Sequence, residues 1–382
     1  MTSATREQEA QAWLTPGVRG IGTASLLADL GHEVPTALLP SFLTSTLGAP
    51  ASALGLIEGV SDGLAGAARL AGGALADDPQ RRRAAAVGGY TTTAVLSGLI
   101  GTASSVWQVA VLRAGAWTAR GLRVPARNAL LADVVSPQAY GRAYGFERAM
   151  DNLGAIGGPL LALGLVELVG VRTAILLSII PGLLAVAAIV YAIRHTAAPT
   201  QRERQPIRLR IRPVLRGRLG RLMAGVSIFE LGNIAATLLI LRATDLLTPG
   251  HGTDDAAQIA IALYVVYNIA ATVTSIPAGR LGDRRGMVRV LAGGVAAFAL
   301  AGVGIGCVET AEHAAVATFA PADVRGSAFG ALAAVQSFGN VVASAVAGLL
   351  YTVASPEAAF TYAAVLMVGA LLALMVGALR NA

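Results

Sequence analysis

The sequence predicts an all-α membrane protein built from two parallel helical repeats. Three observations carry that prediction: an apolar composition, the placement of arginine, and the alignment of the chain with itself. Of 382 residues, 55% are hydrophobic and 13% charged, where a soluble domain carries nearer a quarter charged residues. Mean hydropathy is +0.64. Apolar runs such as Thr173 to Ile193 and Ala363 to Leu379 recur from end to end. About 20 apolar residues match the hydrocarbon core of a bilayer.

All 29 basic residues are arginines. Those in loops concentrate at Gln80 to Arg83, Arg202 to Arg221 and Gly279 to Arg289, whereas Gly48–Ser52 and Leu246–Asp255 hold none. Alternation of this kind is the positive-inside pattern and assigns the arginine-rich loops to the cytoplasm. The net charge of +7 is thereby explained without nucleic acid as a partner. The stretch before the first helix contains acids and lacks a cleavage-type signal, so a cytoplasmic, uncleaved amino terminus in a multi-pass cell-membrane protein is expected. Without lysine there can be no Walker A loop and no Schiff-base chemistry. The single cysteine, Cys307, excludes an internal disulfide.

The elements follow in order from the repeat. Helix 1 carries Asp29 to Leu39, which matches Glu230 to Ile240 on helix 7, with Gly31 on Gly232. Helix 2 ends in Ala71 to Asp78, which matches Pro277 to Arg284 at the end of helix 8, with Asp77 on Asp283. Helix 3 begins after Arg83, and its Gly88-Gly89 pair matches Gly293-Gly294 of helix 9. Helix 4 carries Arg113, Arg120, Arg123 and Arg127 and ends before Pro137, the counterpart of Pro321. Helix 5 carries Ala143 to Gly154, which matches Ala328 to Gly339 on helix 11. The expected domains are an N-terminal bundle over 1–195, an arginine-rich cytoplasmic linker over 196–221, and a C-terminal bundle over 222–382. Two halves in the same order indicate parallel repeats.

The second half is short. Asp77 and Asp283 are offset by 206 (283 − 77) but Pro137 and Pro321 by 184 (321 − 137), so 22 residues (206 − 184) are missing between them. That loss is about one span. We expect helices 9 and 10 to form a shortened hairpin meeting near Gly302–Gly306, which keeps Arg325 and Arg380 cytoplasmic. A single long helix with the last pair inverted is the alternative, which gives about 11–12 transmembrane segments in all.

The segments "GGALADDPQRRR" and "AGRLGDRRGMVR" resemble the paired gate signature of the major facilitator superfamily. The resemblance assigns Gly73, Asp77, Arg81 and Arg82, and Gly279, Asp283 and Arg285, to a cytoplasmic gate. Arg113 is similar to the helix 4 arginine of proton-coupled members, and Gly154, Gly158 and Pro159 resemble the Gly-Pro signature of exporters. The first signature departs from the pattern at Asp78-Pro79-Gln80, and helix 4 departs at Trp117. The resemblance implies the major facilitator fold, with two six-helix repeats and helices 1, 4, 7 and 10 around a cavity.

Nine acids lie at or near membrane depth: Asp29, Glu33, Glu58, Asp62, Glu147, Asp151, Glu230, Glu309 and Glu312. Each charge would cost ~3 kcal/mol or more in lipid, so these side chains are expected to face a cavity and pair. Arg120, Arg123 and Arg127 can snorkel or lock the gate instead, and Glu147, Arg148 and Asp151 read as gate locks. Asp62 and its repeat partner Asn268 can be structural glue. Glu230 and Asn233 can be cavity wall or helix packing. Two clusters differ: Asp29, His32 and Glu33, and Glu309, Glu312 and His313, each with carboxylates and an imidazole at one-turn spacing. Such groups can exchange protons near neutral pH, can pair with the helix 4 arginines, or can ligate a metal, although the spacing fits no specific metal signature.

These observations predict a proton-coupled secondary transporter with no cofactor, driven by the proton gradient, that exports a small cationic or amphipathic compound as a monomer. The alternatives are a symporter for a sugar or organic acid and a degenerate paralogue that transports nothing. No nucleophile, base and acid set suggests an enzyme.

Overall fold

A computed structural model of the chain describes residues 13–196, 207–208, 210–234, 236–296 and 302–379. Among them there is no strand. Helix α1 (Pro16–Ser41) starts with Thr15, whose side chain accepts from the Val18 amide, and Pro16 in the first turn; both are favourable start residues. It is followed by α2 (Ala51–Ala76), α3 (Pro79–Leu99), α4 (Val106–Asp133), α5 (Tyr140–Leu177) and α6 (Ile179–Arg194). Within α5 the chain turns at Gly170, whose φ of 75° is the left-handed region that glycine tolerates. The second half comprises a broken helix, α7a (Gly217–Gly232) and α7b (Ala236–His251), then α8 (Thr253–Arg285), α9 (Met287–Ala296), α10 (Gly302–Phe319), α11 (Arg325–Val353) and α12 (Pro356–Leu379).

Among the described residues, four stretches are long and apolar enough to qualify as spans by composition: Pro79–Thr102, Pro137–Leu177, Arg325–Val353 and Pro356–Val376. Most other helices are interrupted by the charges listed above and hide them inside the bundle, as a helix in lipid must. The first half packs α1 on α5 and α6, and α4 on α2 and α3; the second packs α8 and α9 on α10, and α7a on α12. The halves meet where α5 packs on α8 and α2 on α11.

Helices 9 and 10 pack on each other as the expected pair, but α10 is close to a full span and Gly302–Gly306 begins it, while the connection at 297–301 lies outside the described residues. α9 has 10 residues and α10 has 18, lengths of about 15 Å and 27 Å. Met287 at the start of α9 lies against Gly282 and Gly141, and Arg325, just beyond α10, is 3.6 Å from Asp133 at the end of α4. Both ends of the pair therefore reach the arginine-rich end of the bundle, so the single long helix does not form. Arg380 and most of the linker expected at 196–221 lie outside the described residues; α7a begins within that linker, at Gly217.

Candidate functional site

At the arginine-rich end, each repeat grips the other half through one aspartate. Asp77 accepts from the Ser327 amide at 2.8 Å and from the Ser327 hydroxyl, at the start of α11. Asp283 accepts from the amides of Gly141 at 2.7 Å and Arg142 at 3.1 Å, and from Arg142 Nε at 2.9 Å, at the start of α5. The first amides of a helix lack intrahelical acceptors and carry the positive end of its dipole, so a carboxylate belongs there. Burial pushes the Asp77 carboxyl above its ordinary value of 3.8, against the opposing pull of its two bonds to Ser327.

Glycines permit this approach. A Cβ at Gly73 would lie 2.8 Å from the Gly326 carbonyl and 2.9 Å from Gly330 Cα; Gly279 and Gly141 crowd each other in the same way. The irregular Asp77-Asp78-Pro79 has a local cause: Asp78 caps α3 by accepting from Gln80 and Arg81, with Pro79 in its first turn. Arg82 bonds the Ala76 carbonyl at 2.7 Å and pairs with Asp133. Arg81 is 3.9 Å from Asp78. The Arg285 carbonyl accepts from Arg289.

Inside the first half, the acids meet arginines. Arg127 Nη1 is 2.7 Å from Glu147 and 3.1 Å from Asp151, and Arg148 is 2.9 Å from Glu147 and 3.1 Å from Asp151. Ser25 of α1 completes the cluster through Glu147 at 2.8 Å. Arg113 bonds Thr36 at 3.1 Å and Glu58 at 3.0 Å, and stacks 3.4 Å from the centre of the Trp117 ring. Arg120 lies 3.9 Å from Asp29. Arg123 is 2% exposed, lies over Tyr90 at 4.0 Å, and leaves Nε and Nη1 without hydrogen-bond partners. Neither Arg123 nor Arg127 snorkels, since both are buried. His32 donates or accepts at the Ala28 carbonyl (2.9 Å) through Nδ1, and its Nε2 approaches Glu33 at 3.2 Å without hydrogen-bond geometry. The Asp29, His32 and Glu33 face thus packs on α4 and α5, where Gly154 and Gly158 lie against Asp29 and Glu33.

A cavity of about 540 Å³ lies between the halves, lined by α2, α7a, α10 and α11, within the ordinary range of small-molecule sites. Its carboxyl groups are Asp62, Glu230, Glu309 and Glu312, and its guanidinium groups Arg69 and Arg148. Trp117 donates its indole N–H to Asp62 at 2.9 Å. Arg69 is turned to the Ala333 carbonyl at 3.0 Å. Among the described residues no arginine lies within 4.0 Å of Glu230, Glu309 or Glu312. Their partners are neutral: Asn233 donates to Glu230 at 3.2 Å, and Gln336 to Glu312, whose other oxygen is buried without a partner. No group of three or more metal-ligating side chains occurs among the described residues.

Glu309, Glu312 and His313 were expected on one cavity-facing surface; they stay together, with His313 Nδ1 3.6 Å from Glu312 and 2.8 Å from the Glu309 carbonyl, but the imidazole is not part of the cavity lining. The two glutamates line the cavity. The His313 ring packs 6.1 Å from Tyr144 of α5 and 6.2 Å from Phe329 of α11. Sequence reasoning missed Gln336, Asn340 and the break of α7 at Asn233, where the α7a backbone ends beside the cavity. The repeat alignment already pointed to the first, because it places Gln336 opposite Asp151.

Comparison with known proteins agrees with this architecture. The Major Facilitator Superfamily profile matches residues 21–301. An uncharacterised MFS-type transporter of Methanocaldococcus jannaschii is 27% identical over 379 residues, 93% of each chain. The multidrug resistance protein MdtG of Dickeya zeae is 26% identical over 207 residues, 52% of this chain and 48% of that protein. Among solved structures, a bacterial homologue of the iron transporter ferroportin in its outward-facing state superimposes with a TM-score of 0.73 at 14% identity, covering 95% of this chain and 99% of that one. The human organic anion transporter MFSD10 gives 0.71 at 19% identity, over 94% and 99%. The family profile, the parallel repeats and the paired aspartate grips agree: the chain belongs to the major facilitator superfamily.

Proposed function

We propose that the chain is a proton-coupled secondary transporter that exports a small cationic or amphipathic compound by alternating access. One observation carries this reading: Glu309 and Glu312 line the cavity with no arginine within 4.0 Å among the described residues. A carboxylate in that position can be neutralised by a proton or by a substrate cation. Moving an empty, charged site across the membrane is costly, so each half-cycle favours carrying one or the other. Competition for the same carboxyls yields exchange of protons entering for cations leaving. The α7a terminus beside Glu230 adds the negative end of a helix dipole to the site. The partial likeness to a protein named for multidrug resistance supports the same direction.

In this reading the arginine-rich end is cytoplasmic and the amino terminus lies on that side. The aspartate grips then close the inner gate, and the structure is the outward-facing state in a cell membrane. No cofactor, nucleic acid or partner chain is needed; a monomer contains the whole route. A symporter for a polar metabolite is the second reading, favoured by the hydroxyl-binding amides of Asn233, Gln336 and Asn340 in the cavity.

The test is uptake of radiolabelled tetraphenylphosphonium into proteoliposomes under an imposed pH gradient. Wild-type protein should concentrate it. Glu309→Gln or Glu312→Gln should abolish the gradient-driven part and retain exchange. Wild-type protein that moves only sugars or organic acids would favour the symporter; protein that moves nothing contradicts both.

A further inference from the structure

Between α2 and α11 the cavity is open, and its chemistry changes along that opening. At the gate, α2 and α11 touch through Gly73 and Gly330. At Gly66 a Cβ would find its nearest atom, Phe338 Cζ, at 3.6 Å. At Gly63, Gly59 and Gly55 it would meet nothing within 4 Å. The two helices therefore diverge into a slit beyond Gly66.

The floor of this slit is polar, with Glu230, Asn233 and Gln336. Its rim is apolar. Phe338 and Val341 line the cavity and are also 52% and 58% exposed, and Leu56 on the facing helix is 70% exposed. On α2, Gly59 and Gly63 carry no side chain, and the Asp62 carboxylate between them is bonded to the Trp117 indole. A polar pocket that continues between the α2 glycines and Phe338 and Val341, with Asn340 beside them, in a protein whose outer surface meets lipid, fits a molecule with a polar head and an apolar chain.

We propose that the substrate is a single-chain amphiphilic cation, its head held in the cavity near Glu230 and Glu312 and its hydrocarbon chain laid between Gly59–Gly63 and Phe338–Val341 towards the bilayer. This rests on the cation-export reading above and narrows it. The chain lies against Phe338, Val341 and the glycine backbone for most of its length, so the main cost is desolvating and pairing the head. A freely water-soluble cation needs no such slit.

Two probes separate the inference from the reading beneath it: tetraethylammonium, a compact head, and dodecyltrimethylammonium below its micellar concentration, a head with a chain. Both are measured as gradient-driven uptake into proteoliposomes, by wild type and by Gly59→Leu with Gly63→Leu. Both glycines face open space in this state, so the leucines fill the slit without a clash. We expect wild type to move both cations, and the filled slit to keep tetraethylammonium and to lose dodecyltrimethylammonium by about tenfold or more, the discrimination a steric block supplies. As a second readout, a diazirine at the chain terminus should label the Leu56–Leu64 or Phe338–Val342 segments. Equal loss of both cations would overturn the inference, because the glycines would then serve only as the surface that closes against α11. Equal retention of both would overturn it too. Wild type moving tetraethylammonium alone would overturn the inference and leave cation export standing; wild type moving neither would overturn both.

Discussion

The two halves repeat the same backbone but treat their buried acids differently. In the first half Gly154 of α5 lies against Asp29 of α1, and a Cβ there would be 2.8 Å from the Asp29 Cβ. In the second half Gly339 of α11 lies against Glu230 of α7a, at 2.5 Å by the same measure. The contact is conserved between repeats, and the charges around it are not. Where α5 carries Glu147, Arg148 and Asp151, α11 carries Leu332, Ala333 and Gln336. The first half is therefore a cross-braced wall whose carboxylates are held by arginines. The second half keeps its acids without arginines at the matching positions; the guanidinium groups at its cavity, Arg69 and Arg148, come from the first half, and in the proposed reading these carboxyls take a proton or a cation. The difference teaches that charge pairing, rather than burial alone, separates a structural acid from a working one.

The largest expected effect breaks the braced half. Arg127→Met leaves Arg148 alone between the two buried acids Glu147 and Asp151, an uncompensated buried charge, and should cost ~3–5 kcal/mol, read as loss of folded protein in a detergent thermal-melt assay. Replacing Arg127 and Glu147 together by apolar residues, which leaves Arg148 paired with Asp151, should recover much of that loss; no recovery would mean that the cluster does more than pair charge. Next, Gly73→Val should prevent closure of the gate, because its side chain would meet the Gly326 and Gly330 backbone, with overpacking worth about 1–3 kcal/mol. Cysteine labelling of the cavity from the side opposite the gate should fall. Asp77→Asn removes a charged helix cap and should weaken the same closure by about 0.5–2 kcal/mol, with transport reduced and the protein still folded. The smallest effect is in the second half: Glu312→Gln should change melting by less than about 1 kcal/mol or raise it, since a buried carboxylate without a cationic partner is a cost in the folded state. A loss as large as that of Arg127→Met would erase the contrast between the halves.

Much of this was legible in the sequence because repeats and glycine-aspartate pairs are local signals. The alignment of Asp77 with Asp283 located both grips, and the 22-residue deficit (206 − 184) located the shortened pair of α9 and α10. The cavity was harder to read. Spacing placed Glu309, Glu312 and His313 on one face, but a one-residue step on a helix turns a side chain by about 100°, enough to send His313 to Tyr144 while Glu312 faces Gln336. Nor does the sequence show which acids an arginine reaches: Asp29 and Glu312 look alike as isolated carboxyls, and only the packing of α4 and α5 onto α1 distinguishes them. The break in α7 has no proline to announce it; Asn233, with φ −80° and ψ 81°, ends the helix where the cavity supplies polar partners.

The central claim is that the unpaired carboxyls of the second half exchange a proton for a substrate cation. The direct measurement is proton release on adding tetraphenylphosphonium to purified protein in weakly buffered detergent solution, followed with a pH dye near neutral pH. Wild type should release protons on binding, Asp29→Asn should do the same, and Glu309→Gln with Glu312→Gln should bind with no release. Release that persists in the double glutamine variant and disappears in Asp29→Asn would contradict the account and move the exchanging group to the arginine-braced half.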